Sequence, residues 1–128
     1  MDISLHKEHE DPRGSIFSVA IPDNRELMLF YCKKGYLRGG HSHNVDEIVV
    51  VLSGHLKYHK MLGEDEHITF YSDGDYIVNL AGQPHMAEFL ENSWVMEWKL
   101  DTHNGEWSTT DYEPFRERVR HRMEEHHE

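Results

Sequence analysis

Residues 35–54 read GYLRGGHSHNVDEIVVVLSG, and this stretch guides the interpretation of the rest of the chain. In an extended strand, residues two apart share a face, so His41 and His43 point the same way and can bind one ion with two imidazoles. The segment 44–46, NVD, allows a tight reversal, after which Glu47 begins a second strand. The spacing therefore predicts that the Glu47 carboxylate meets the two histidines.

A third imidazole is offered by His85, which opens a further strand after the turn residues GQP at 82–84. Three imidazole nitrogens and one carboxylate suit Fe, Mn, Ni, Co, Cu or Zn better than calcium or magnesium. Four protein ligands on an ion that prefers six leave two positions for water or substrate. We therefore predict one divalent transition metal, of unspecified identity, with the ligands His41, His43, Glu47 and His85.

Short β-rich runs recur along the chain, separated by turn residues such as SG at 53–54 and DG at 73–74. The candidate strands are SIFSVA, ELMLFYCK, DEIVVVL, HLKYHKM, HITFYS, DYIVNL, HMAEFL and SWVMEWKL. Nothing between residues 15 and 100 has a helical apolar period, which argues against alternating strands and helices. This regular spacing indicates an all-β antiparallel sandwich or barrel.

The chain of 128 residues is long enough for one domain with one core. We predict an N-terminal arm over 1–14, a barrel over 15–101 and a C-terminal extension over 102–128. The extension contains a short helix, because Pro114 suits a first helical turn and Phe115 and Val119 then share a face.

Composition excludes several classes of partner. The formal net charge of −11 repels phosphate backbones and anionic lipids, so neither a nucleic acid nor a membrane is expected as a partner. The N-terminus MDISLHKEHE has no apolar segment typical of a signal peptide. Cys32 is the only cysteine, which fits a reducing compartment. We therefore expect a cytoplasmic protein.

The motif spacing resembles that of the cupin superfamily. The first cupin motif is matched without a gap by Gly35, His41, His43, Glu47 and Gly54. The second motif is matched at Gly74, Gly82 and His85, whereas Leu80 stands where the family usually has proline and Phe89 where it often has asparagine. The resemblance covers about residues 15–100. It implies a cupin double-stranded β-helix, or jelly-roll barrel, with a metal inside one mouth and a small-molecule substrate, and it favours a homodimer.

Weaker local similarities point to the cupins that isomerise or epimerise nucleotide-linked keto-sugars. These are DPRGSI at 11–16, LRGGHSH at 37–43 and DYEPF at 111–115. That group commonly transfers protons with a histidine pair and a tyrosine and without a metal, whereas this chain also has Glu47 and His85. The resemblance and the predicted ligand set together imply a metal-dependent isomerase, epimerase or lyase that acts on a small polar molecule. Two alternatives stay open, namely a non-haem metal dioxygenase or related oxidoreductase and a non-catalytic cupin that binds a small ligand.

Glu47, Tyr58 and Arg38 are the candidate catalytic residues. Tyr58 shares the face of Leu56 and is a candidate general acid, and Arg38 is the first choice for binding a charged group of the substrate. Strict strand alternation nevertheless places Arg38 on the side opposite His41. Alternation from 94 to 98 is expected to put Trp94, Met96 and Trp98 in the core and Glu97 on the outside.

Overall fold

The computed structural model describes residues 4–20, 27–100 and 107–126. Within these ranges the chain forms eleven strands and one helix. The strands are β1 (Ser4–Asp11), β2 (Gly14–Ala20), β3 (Leu27–Cys32), β4 (Leu37–His43), β5 (Glu47–Ser53), β6 (His55–Leu62), β7 (Asp65–Ser72), β8 (Tyr76–Asn79), β9 (His85–Phe89), β10 (Ser93–Lys99) and β11 (Thr109–Asp111), and the helix is α1 (Glu113–His126).

The strands form two antiparallel sheets. The first has the order β1-β2-β3-β10-β5-β8, and the second has the order β11-β4-β9-β6-β7. Consecutive strands in the sequence lie in different sheets at several points, as in a jelly roll. The expected all-β jelly-roll fold with a short C-terminal helix is confirmed.

The principal core lies between the sheets, where alternate residues of each strand point inward. Its members are buried and mostly apolar: Cys32, Val49, Val51, Leu56, Tyr58, Ile77, Ala87, Phe89 and Val95. Leu56 and Tyr58 belong to the same inner face, as alternation along β6 predicts. The same alternation leaves Ile48 and Val50 of β5 on the outer face, where they are half-buried.

A smaller apolar cluster attaches helix α1 to the outside of the second sheet. Phe115 and Val119 are 2% and 1% exposed and pack against Met86 of β9. These are the two apolar positions that the sequence placed on one helical face. The helix therefore covers the outer side of the strands that carry the histidines of the site.

The predicted N-terminal arm contains strand β1, which pairs with β2 along its length. The predicted C-terminal extension contains β11, which adds to the edge of β4. Among the described residues, no helix is long and apolar enough to cross a membrane. Residues 101–106, part of which opens the predicted extension, lie outside the described ranges.

Candidate metal centre and cavity

Three histidine side chains converge inside one end of the barrel. His41 and His43 lie on β4, and His85 opens β9 directly opposite His41 in the strand register. One ring nitrogen from each lies within 4.8 Å of the others. The three histidines predicted as ligands are thus brought together and can hold a metal ion.

Hydrogen bonds outside the cluster orient two of the rings. Nδ1 of His85 lies 3.1 Å from the main-chain carbonyl of Gln83, to which it can only donate. His43 Nδ1 lies 3.1 Å from the Thr109 hydroxyl. In both rings Nε2 is the nitrogen that remains for the interior. Such outer partners fix the tautomer and direction of metal-binding histidines.

The carboxylate of Glu47, predicted as the fourth ligand, lies beside two of the three histidines. Its side chain is 2% exposed, and its two oxygens lie 3.3 Å from His43 Nε2 and 3.5 Å from His85 Nε2. Asn79 donates a hydrogen bond of 3.0 Å to Oε1, and Lys99 Nζ lies 2.8 Å from Oε2. Each carboxylate oxygen has two lone pairs, so these contacts leave acceptor capacity toward the histidines.

The protonation states also favour a metal. Burial lowers the pKa of His41 to about 4, and the neighbouring His85 and His43 lower it further. Burial likewise lowers the pKa of His85 to about 4. For Glu47, burial acts to raise the pKa, but the His43 hydrogen bond and the Lys99 charge outweigh it and hold the pKa well below its usual range. At neutral pH, His41 and His85 are therefore neutral donors and Glu47 is an anion, which is the state a divalent metal requires.

Residues of the C-terminal segment close the site from one side. Thr109 of β11 lies opposite His43 in the strand register. The Trp107 ring stands edge-on to the His43 ring, with 5.3 Å between centroids, and Lys99 Nζ lies 4.2 Å from the centre of the same indole. Sequence reasoning assigned Trp107 and Thr109 no role, because residues so distant along the chain are joined to the motif only by the sheet.

A cavity of about 740 Å³ extends from the histidines through the barrel interior. Its wall is largely apolar, with a few polar groups directed into it, as is usual for small-molecule sites. The polar residues that line it include, besides Glu47, His41, His85, Tyr58, Glu97 and four arginines, namely Arg13, Arg38, Arg116 and Arg120.

The expectation that Arg38 faces away from His41 was wrong. The register between β4 and β9 shifts between Gly39 and His41, so Gly40 is an extra residue opposite the partner strand. Both glycines have positive φ, 103° for Gly39 and 87° for Gly40, and this conformation makes the bulge. The extra residue reverses the alternation and puts Arg38 on the cavity side. The GG pair at 39–40 was the available sequence signal.

The expected orientation of β10 was also wrong. Glu97 lines the cavity, whereas Trp94 lies on the other face of the sheet, in ring contact with Phe17 and Tyr31. Val95 belongs to the core between the two sheets. Glu97 and Lys99 lie two and four residues further along β10, so their side chains point to the same inner face as Val95. The sequence prediction assumed that apolar residues face the interior and charged residues face solvent. The charged pair Glu97 and Lys99 is an exception to this preference, so the two faces of β10 were predicted the wrong way round.

Glu97 and Lys99 form a buried ionic pair beside Glu47. Lys99 donates a hydrogen bond of 3.1 Å to Glu97, and the two side chains are 8% and 20% exposed, respectively. Burial raises the pKa of Glu97 to about 7, with repulsion from Glu47 adding to the effect. The carboxyl group of Glu97 therefore exchanges its proton near neutral pH.

The hydroxyl of Tyr58 accepts a hydrogen bond of 2.7 Å from Asn79, the same residue that contacts Glu47. Burial raises the pKa of Tyr58 well above its ordinary value, and the nearby Glu47 charge acts in the same direction. The phenol consequently stays protonated at neutral pH and can donate a hydrogen bond or a proton. Asn79 was missed because it occupies one of the variable positions of the second motif, between Gly74 and Leu80, to which the motif assigns no role.

Solved structures with similar folds come from several kinds of protein. The capsular polysaccharide assembling protein CapF from Staphylococcus aureus matches with a TM-score of 0.66 and 20% identity over 84% of this chain and 31% of its own. Oxalate decarboxylase from Bacillus subtilis, a protein with Mn(II) centres, matches with a TM-score of 0.68 and 19% identity over 84% of this chain and 30% of its own. KdgF from a Halomonas species matches with a TM-score of 0.61 and 22% identity over 73% of this chain and 84% of its own.

These neighbours are cupins, and this chain has the fold of the cupin superfamily. The expected resemblance is thereby confirmed at the level of the fold. The chain spans only 31% of the length of CapF and 30% of that of the oxalate decarboxylase. No protein-family profile matches the sequence, and no curated protein matches it significantly.

Proposed function

We propose that this protein is a metal-dependent enzyme that catalyses proton transfer on a small polar molecule of carbohydrate type, as an isomerase, epimerase or lyase. The observation that carries the proposal is the position of Glu97. Its carboxyl group has a pKa of about 7 and lines the same cavity as His41 and His85. A general acid or base works best when its pKa lies near the working pH.

The donor set fits a borderline divalent metal such as Fe, Mn, Ni, Co, Cu or Zn. His41, His43, His85 and Glu47 would hold it, and when bound it would supply Lewis acidity toward an oxygen of the substrate. The similarity to oxalate decarboxylase, a protein with Mn(II) centres, supports a metal-binding role for this fold.

The residues around the donors have distinct roles in this proposal. Glu97 removes a proton from the substrate carbon next to a carbonyl and returns it at a neighbouring atom, so the substrate is neither oxidised nor reduced. Tyr58, with its raised pKa, donates to the substrate oxygen on which negative charge develops. Lys99 holds Glu97 by its 3.1 Å hydrogen bond and keeps the carboxyl group at the cavity wall.

Two likenesses favour carbohydrate chemistry. CapF, a capsular polysaccharide assembling protein, has a similar fold over 84% of this chain. The segments at 11–16, 37–43 and 111–115 resemble the keto-sugar isomerase cupins. The small-molecule substrate belongs in the 740 Å³ cavity, which has room for a sugar-sized ligand.

The test compares protein loaded with Zn(II) or with Fe(II), in the presence and absence of dioxygen, on nucleotide keto-sugars and free sugar acids. Proton transfer needs only a Lewis acid and an acid–base group, so zinc should support turnover and oxygen should have no effect. A reaction that consumes oxygen and fails with zinc would establish the dioxygenase alternative. Tight binding without turnover in every metal form would establish a binding protein.

We further propose that the chain forms a homodimer in the cytoplasm, with the outer face of the first sheet as its interface. Apolar side chains of adjacent strands stand side by side on this face, as Met96 does with Leu29 and Val50. Leu52 and Tyr76 on the same face are 47% and 68% exposed. A large exposed apolar patch typically marks a contact with another protein. Sedimentation that shows only monomer at micromolar concentration would contradict the dimer.

A further inference from the structure

The ammonium group of Lys99 lies between two carboxylates and an aromatic ring inside the barrel. Its Nζ lies 2.8 Å from Glu47 Oε2, 3.1 Å from Glu97 Oε1 and 4.2 Å from the centre of the Trp107 indole. The Lys99 side chain is 8% exposed, so solvent ions screen these contacts little. Two carboxylates and an indole face all attract a cation, and Lys99 is therefore held firmly at this position.

The Glu47 oxygen that Lys99 contacts is also one that a metal would use. Oε2 lies 3.3 Å from His43 Nε2, and Oε1 lies 3.5 Å from His85 Nε2. The second neighbour of Oε1 is neutral, because it is the Asn79 amide at 3.0 Å. The second neighbour of Oε2 is the cation of Lys99. A divalent ion that bound both Oε2 and His43 would therefore share this oxygen with an ammonium group.

Two cations that share one buried carboxylate oxygen oppose each other. Like charges a few ångströms apart repel more strongly inside a protein than in water, because the effective dielectric constant is lower. One ammonium also neutralises the single negative charge of Glu47. A divalent ion that binds Glu47 must therefore displace Lys99 or bind against its charge. Glu97 and Trp107 remain as partners for an ammonium group that leaves Oε2.

We propose that Lys99 competes with the metal ion for the Glu47 carboxylate and thereby limits the metal affinity of the centre. This inference rests on the proposed function, because it takes the three histidines and Glu47 as the metal ligands. By thermodynamic linkage, the contact between Lys99 and Glu47 weakens metal binding as much as the metal weakens that contact. Lys99 thus tunes the affinity, although an ammonium group cannot itself be a ligand.

The test measures zinc affinity by competition with a chromophoric chelator for wild type, Lys99→Met and Lys99→Gln. Both substitutions remove the ammonium charge, and glutamine keeps an amide donor for the carboxylates. Lys60→Met is the matched control, because Lys60 is also partly buried but donates to the Val78 carbonyl oxygen, at 2.6 Å. Both Lys99 variants should bind zinc at least about tenfold more tightly than wild type, and Lys60→Met should differ from wild type by less than about threefold.

A gain in affinity distinguishes competition from a structural role, because damage to the fold or to the position of Glu47 would weaken zinc binding. The zinc-induced rise in Tm should likewise be larger in Lys99→Met than in wild type. Lys99→Gln covers the case in which Lys99→Met does not fold. Unchanged or weaker zinc binding in the Lys99 variant that folds would overturn the proposal, as would an equal gain in Lys60→Met.

The same measurements separate this proposal from the proposed function. The gain should disappear in Lys99→Met/His85→Ala, and a gain that persists there would place the zinc elsewhere and overturn the proposal. Zinc binding to wild type that the Lys99 variants do not exceed would contradict the competition alone. Zinc binding to the Lys99 variants but not to wild type would support the competition and contradict the metal-dependent function.

Discussion

Lys99 Nζ lies 2.8 Å from Glu47 Oε2, and the two side chains are 8% and 2% exposed. An ammonium group therefore contacts the only carboxylate among the predicted metal ligands. Lys99 also donates to Glu97, so it links the candidate metal centre to the acid–base group of the cavity. This link was absent from the sequence interpretation, and it decides how substitutions at these positions should behave.

Glu47→Gln should lower the free energy of unfolding of metal-free protein by about 3 kcal/mol, because removing one partner of a buried pair leaves the other charge unpaired. Urea denaturation measures the change. The double variant Glu47→Gln/Lys99→Met should lose less than the sum of the two single variants. Strictly additive losses would show that the contact contributes nothing to stability.

Glu97 should make the folded protein less stable as pH rises. Its folded pKa of about 7 lies above the 4.5 of an ordinary glutamate. The unfolded chain therefore loses this proton first, and the free energy of unfolding decreases as pH rises from 4.5 to 7. Glu97→Gln mimics the neutral form and should raise the free energy of unfolding more at pH 8 than at pH 5. Substitution of an exposed glutamate, Glu64→Gln, is the matched control, and an equal response of both variants would rule out a buried, titrating Glu97.

Acid should destabilise the metal-free protein through His41 and His85. Their folded pKa values of about 4 lie below the 6.5 of an ordinary histidine, so the unfolded chain takes up protons first. The free energy of unfolding of the metal-free protein is therefore highest above pH 6.5, as far as these two histidines contribute, and it decreases as pH falls toward 4. Thermal unfolding of chelator-treated protein should show a shallower fall in Tm for His85→Gln than for wild type. A parallel fall would contradict the lowered pKa, and exposed His67→Gln is the control.

Gly39→Ala should weaken metal binding although Gly39 is not a ligand. A β-carbon there would lie 2.8 Å from the His85 carbonyl oxygen, and the residue has a φ of 103° that other residues adopt with strain. The bulge would then shift His41 relative to His85. Gly63→Ala, which also has positive φ but meets nothing within 4 Å, controls for strain alone. Metal affinity equal in both variants would exclude a role of the bulge in the site.

The fold and the histidine cluster could be predicted because short-range rules govern them. Two-residue alternation put His41 and His43 on one face, and motif spacing brought His85 to them. The prediction from alternation was wrong at Arg38. Gly40 is an extra residue in β4, so the side chains that precede it in the strand point to the face opposite the one that simple alternation from His41 predicts. The prediction was also wrong at Glu97, because composition favours apolar residues inside, and only the pairing with Lys99 makes a buried carboxyl tolerable.

Other parts of the site depend on contacts between distant segments. Thr109 reaches His43 across 66 residues, and Asn79 reaches Glu47 across 32. A single sequence shows such pairs only after the strand order is known. The second sheet brings β11 to the edge of β4, and this placement makes the C-terminal segment part of the site.

Metal content per chain tests the central claim most directly. Wild-type protein is loaded with Zn(II), dialysed and analysed for metal, beside His85→Ala and His43→Ala, with His67→Ala as control because the chain has 12 histidines that could bind zinc adventitiously. The account predicts about one zinc per chain in wild type and in His67→Ala, and loss of most of it in the two site variants while their circular dichroism still shows the β fold. Full zinc content in His85→Ala and His43→Ala would contradict it.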